Sequence, residues 1–106
     1  MNSVNIEMYK EAGARIFTDR DTGIRARREL ELDKLEKVGK IVVLLPEDTW
    51  GVNPSFFGGM FETSIKNMGE QFRQNYVFQY SNGNELKDSL KENIENDYDY
   101  VMRGLS

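Results

Sequence analysis

Apolar and polar positions change register several times along the chain, and each register predicts an element. Val4-Asn5-Ile6-Glu7-Met8-Tyr9 alternates apolar and polar residues, the pattern of a strand with one buried face. Ile16-Phe17 predicts a short second strand or a packed lead-in to a helix. Thr18, with Asp21 three residues on, resembles a capping box, and Ile24, Leu30 or Leu32, Leu35 and Val38 then give an apolar stripe of helical spacing that Gly39 ends. Lys40 to Leu45 is apolar after its first residue and rich in β-branched side chains, which predicts a central strand of a parallel sheet, buried on both faces.

The strongest helix signal follows. Asn53 is a favoured N-cap and Pro54 a favoured first helical residue. Phe57, Met60, Phe61, Ile65 and Met68 recur at helical spacing until Gly69. Tyr76-Val77-Phe78-Gln79-Tyr80 predicts a further strand, and Ser81-Asn82-Gly83-Asn84 a turn into a helix cap. Leu86, Leu90, Ile94, Tyr98, Val101 and Leu105 carry a last helical stripe. Strands alternating with helices over short connections predict one α/β layer domain over residues 1–106, with a small, mostly parallel sheet covered by about three helices.

Composition narrows the chemistry. The chain has 106 residues, enough for one core, and no cysteine or histidine. Without thiol or imidazole there is no Ser-His-Asp or Cys-His nucleophile and no usual zinc set. The net charge of −4, with an isoelectric point near 4.9, disfavours general binding to nucleic acid or anionic membranes. With no bilayer-length apolar run and no signal-like start, the expectation is a cytoplasmic protein without metal or cofactor.

Candidate contacts concentrate around the start of the Asn53 helix. Ser55 falls in its first turn, where backbone N–H groups and the helix dipole favour negative charge; it is either a phosphoacceptor or contact residue, or a stabiliser of the turn. Trp50, the only tryptophan, and Phe56 flank the same loop; Trp50 is either an interface anchor or a cap over the core. Five of the seven arginines lie between Arg15 and Arg28. Arg20 and Arg25, nearest the helix start, suit a phosphate or a partner's carboxylates, the alternative being a solvated face paired with Glu29, Glu31 and Asp33. The last helix carries Glu85, Asp88, Glu92, Glu95, Asp97 and Asp99 against Lys87 and Lys91, with Tyr98 and Tyr100 adding aromatic surface. Such a stripe is either the wet side of an amphipathic helix or a mask for a basic groove. Glu47 and Asp48 after the central strand form the single plausible acid-base or magnesium-binding pair.

Phe17-Thr18-Asp19-Arg20-Asp21-Thr22-Gly23, the helix with Arg27 and Arg28, Ile41 to Leu45, and Ser55-Phe56-Phe57 followed by Met60-Phe61 together resemble the STAS-like family. That family includes small stand-alone bacterial and phage proteins related to the STAS domains of anti-sigma factor antagonists. In those antagonists an Asp-Ser-Ser-Gly-type turn opens the second helix, and an ATP-dependent partner kinase phosphorylates a serine there. Against that turn, Asn53 falls on the aspartate, Pro54 on the usual acceptor and Ser55 on the next serine; proline cannot accept phosphate. The resemblance implies a non-enzymatic regulatory module that binds a partner protein, such as a kinase-like regulator, through Trp50, Asn53, Ser55 and Phe56 in the 47–57 segment, with Arg20 and Arg25. The alternatives are a phage-type inhibitor masking a basic site of a host nuclease or defence protein with the acidic helix, and a small magnesium- or nucleotide-dependent enzyme using Glu47 and Asp48. Free sheet edges leave room for a homodimer.

Overall fold

In the computed structural model, which describes residues 2–105, the β-branched run Ile41–Leu45 (β3) lies between β1 (Asn2–Asn5) and β5 (Tyr76–Tyr80), parallel to both. A two-residue parallel ladder joins β2 (Ile16–Phe17) to β4 (Gly51–Val52). The helices are α1 (Arg20–Glu29), α2 (Leu32–Val38), α3 (Pro54–Met68), the single turn α4 (Phe72–Asn75) and α5 (Asp88–Leu105). This is the expected α/β fold with a small parallel sheet. No helix among the described residues is long and apolar enough to cross a membrane.

Asn53 caps α3 as its residue type predicts, its Oδ1 accepting the Ser55 N–H at 2.8 Å with Pro54 in the first turn. Gly69, at φ 57°, terminates the helix. α3 is apolar on most sides because it is the central helix. Phe57 and Phe61 pack on Phe78 of the sheet and on Phe72, with ring centroids 5.4–6.4 Å apart. Gly59 meets α1 on another side: a Cβ there would lie 2.2 Å from Arg20 O, and one on Gly23 would lie 2.3 Å from Phe56 O. The two backbones therefore touch where both helices carry glycine.

Several expectations are corrected. β1 ends at Asn5, and Glu7–Tyr9 forms a 3-10 turn, because the Asn5 side chain accepts the Glu7 N–H at 2.9 Å and bends the chain. Asp19, not Thr18, occupies the cap of α1; its carboxylate accepts from the Thr22 hydroxyl. The helix expected to run to Gly39 breaks at Leu30–Glu31, where Glu31 takes a left-handed conformation at φ 56° and Leu32 becomes fully buried. Ile24 and Val38 of the anticipated stripe are exposed. α5 begins at Asp88, so Leu86 joins the core from the preceding loop.

β3 is also not buried on both faces. Ile41, Val43 and Leu45 are fully buried, whereas Val42 and Leu44 are partly covered and their neighbour Val77 is exposed. Topology explains this. The order β1-β3-β5 never reverses, and right-handed connections between strands laid down in one direction put every connecting helix on the same side. The opposite face carries Ser3, Asn5, Val42, Leu44, Val77 and Gln79, all uncharged.

Candidate functional site

In parallel sheets the chain beyond the carboxyl ends of the strands is the usual place for a site. Here the β2–β4 ladder fixes the loop that leaves β3. The Trp50 N–H donates to Arg15 O at 2.7 Å and the Asn53 N–H to Phe17 O at 2.8 Å. The free edge of β4 is closed by a side chain: Asn93 of α5 accepts the Val52 N–H at 2.8 Å and donates to Val52 O at 3.0 Å, as a neighbouring strand would. Gly51 makes room, since a Cβ there would sit 2.7 Å from Asn93 Oδ1.

On this support Trp50 projects outward, 60% exposed, with the Arg15 guanidinium 4.7 Å from its ring centroid. It does not cap the core. Trp50, Arg15, Ile16, Ala14, Glu11 and Thr18 line an open hollow of about 360 Å³. An adjoining hollow of about 130 Å³ shares Glu11 and Thr18 and reaches Met8 and Arg25. Met8 and Ile16 are 70% and 44% exposed, so three large apolar side chains and two arginines border one continuous surface.

The anticipated contact residues separate. Trp50 and Arg25 border this surface, and Asn53 and Ser55 are exposed beside it in sequence. Arg25 is held over the Tyr9 ring at 5.2 Å and lies 3.7 Å from Glu29, which also accepts the Tyr9 hydroxyl. Arg20 turns toward α3 and pairs with Glu62 at 2.9 Å. Phe56 is a correction: it is fully buried, its ring 5.2 Å from that of Phe17, and is a core residue rather than a contact. Met8 and Ile16 were not read as contacts from the sequence, and Arg15 only as one of the arginine cluster; the β2–β4 pairing brings Arg15 and Ile16 to Trp50, and Met8 borders the adjoining hollow.

The acidic stripe of α5 is also reduced. Glu95 and Asp99 pair with Arg73, Glu85 pairs with Lys91 ahead of the helix, and Tyr98 is buried. Asp97 points inward, 3% exposed, and its Oδ2 accepts from Asn93 at 3.1 Å. Burial, partly offset by that bond, pushes its carboxyl up to about 7. The unfolded chain releases this proton near pH 4, so the folded state binds it more tightly, and stability falls as pH rises from about 4 through 7. Asp97→Asn keeps an acceptor for Asn93 and is expected to remove that decline. Urea denaturation should find it more stable than the parent by on the order of 2–4 kcal/mol at pH 8 and nearly equal at pH 4. A variant retaining the parent's pH profile contradicts the assignment.

A buried polar cluster that the sequence pattern did not signal links α1, α2, α3 and β5. Arg27 donates to Met60 O at 3.0 Å and Ser64 Oγ at 2.6 Å, and pairs with Asp33 at 2.5 Å. Glu36 accepts from Ser64 and from the Tyr76 hydroxyl, with Arg27 3.8 Å away. Burial and the Glu36 bond raise the Tyr76 pKa strongly. Glu47, by contrast, is exposed and accepts from Ser81 at 2.6 Å. Among the described residues no group of three or more acidic side chains gathers as a metal-binding set.

Comparison with known proteins finds no family model, no curated protein and no solved structure that matches this chain.

Proposed function

We propose that the protein is a non-enzymatic regulatory module of STAS-like type that docks a partner protein on the surface around Trp50. The observation that carries this reading is the exposure of Trp50 on a support held by the β2–β4 ladder and the Asn93 side chain. A large aromatic side chain held over the surface by a ladder and an asparagine clamp loses little freedom on binding, and tryptophan with arginine is the composition typical of interface anchors. Met8 and Ile16 extend the apolar contact, and Arg15 and Arg25 supply charge for carboxylates on the partner. In this reading Ser55, exposed in the first turn of α3, accepts any regulatory phosphate, and a charge of about −2 there changes the field at the rim of the docking surface.

Trp50→Ala is expected to weaken partner binding by about 2 kcal/mol or more, roughly thirtyfold, with an unchanged melting temperature. Charge reversal at Glu92 and Glu95 separates this reading from the masking inhibitor: it leaves docking at Trp50 intact but abolishes binding through the acidic helix. Unimpaired binding by a folded Trp50→Ala protein sinks the assignment.

A further inference from the structure

The two edges of the three-stranded sheet are finished differently. Along β5, Gln79 forms an antiparallel bridge with Glu85, and the Tyr80 N–H donates to Asn84 O at 2.9 Å, so the chain folds back over that edge. β1 has β3 as its neighbour on one side and, among the described residues, no strand on the other. The N–H groups of Asn2 and Ile6 donate to Lys40 O and Leu44 O, both at 3.2 Å. By the two-residue repeat of a ladder, the N–H and C=O groups of Ser3 and Asn5 therefore face away from β3. Ser3 and Asn5 are exposed.

Soluble proteins guard such an edge with a charge, a proline, a bulge or a covering segment, or keep the strand very short, and of these β1 has only its four-residue length. Asn2-Ser3-Val4-Asn5 contains neither charge nor proline, and β1 runs in unbroken register with β3. We propose that β1 pairs antiparallel with β1 of a second copy, about a two-fold axis beside Val4. Ser3 of each copy then lies opposite Asn5 of the other. Both pairs are of the hydrogen-bonded kind, so the four outward N–H groups meet the four outward C=O groups in register.

Charge favours this occupant over a charged partner. Each chain carries a net charge of −4, and the β1 edge and adjoining bare sheet face are uncharged, so two copies meet there without bringing like charges together. Four residues per strand bury far less than the roughly 1,200–2,000 Å² of a stable interface, which makes the assembly a concentration-dependent equilibrium. The product is a continuous six-stranded sheet whose two Trp50 surfaces lie at opposite ends. The pairing itself does not depend on what Trp50 binds.

Sedimentation equilibrium from about 10 μM to 1 mM tests the proposal, this range bracketing a weak self-association. The mass is expected to rise from 12.3 kDa toward twice that value. Ser3→Pro removes an N–H that β3 does not use, and Ser3→Lys puts a charge on the edge without touching the core; both should remain monomeric with unchanged melting temperatures. A constant monomer mass for the parent overturns the proposal, as does a dimer that persists in both folded variants. A dimer lost in Trp50→Ala but kept in the Ser3 variants overturns it in favour of the Trp50 surface.

Discussion

Gly59→Ala is expected to cost about 3 kcal/mol or more and to lower the melting temperature by roughly 15 °C. The added Cβ would stand 2.2 Å from Arg20 O and 3.1 Å from Ile24 N, and backbone atoms of a helix cannot rotate aside as a side chain can. α1 must back away from α3, loosening the contact of Phe17 with Phe56 and lifting the helix that carries Arg27. Gly23→Ala meets Phe56 O at 2.3 Å and should behave alike. Gly104 has open space around its Cβ position, so Gly104→Ala, inside α5, is expected to be neutral or mildly stabilising. Chemical denaturation of the three variants checks the contrast; a Gly59→Ala protein as stable as the parent would mean that the two helices do not touch.

The second large effect lies in the cluster that Arg27 organises. Arg27→Met is expected to destabilise the protein by about 3–5 kcal/mol, because it strands the carboxylate of Glu36 in a partly apolar setting and leaves Met60 O and Ser64 without their donor. Removing the matching acid at the same time should recover part of the loss, so Arg27→Met with Glu36→Gln is expected to be more stable than Arg27→Met alone. The Arg20–Glu62 pair makes the comparison sharp. Both of its side chains are about half exposed, and Arg20→Ala should cost less than about 1 kcal/mol. Equal losses from Arg20→Ala and Arg27→Met in denaturant titrations would contradict this ranking.

Elements whose burial follows from their own pattern were legible in the sequence. α3 has a cap, a proline and a glycine stop around an apolar stripe, and β3 and β5 are short β-favouring runs; their positions agree with the pattern to within a residue. Features set by distant contacts were not legible. The break at Glu31 has no glycine or proline to announce it; Leu32 entering the core and Arg27 holding Asp33 impose it from outside the local sequence. Asp97 did carry a signal, standing three residues after Ile94 and four before Val101 on the apolar face of α5, but the run of acids around it conceals that spacing. Phe56 adjoins the exposed first turn of α3 yet lies against Phe17, a contact that depends on where β2 packs. For the candidate site, sequence supplied Trp50, the arginine cluster and Ile16-Phe17 as a short strand; the pairing of that strand with Gly51–Val52, which brings Arg15 and Ile16 to Trp50, is two residues long and was not legible.

The most direct test of docking at Trp50 is quantitative co-purification from the native host of tagged parent, Trp50→Ala and Glu92→Lys/Glu95→Lys proteins, each first shown to melt like the parent. One protein is expected to be recovered in stoichiometric amount with the parent and the charge-reversed variant, and to be depleted roughly thirtyfold with Trp50→Ala. Recovery of that protein undiminished by Trp50→Ala, or lost only on reversing the charges of α5, contradicts docking at Trp50.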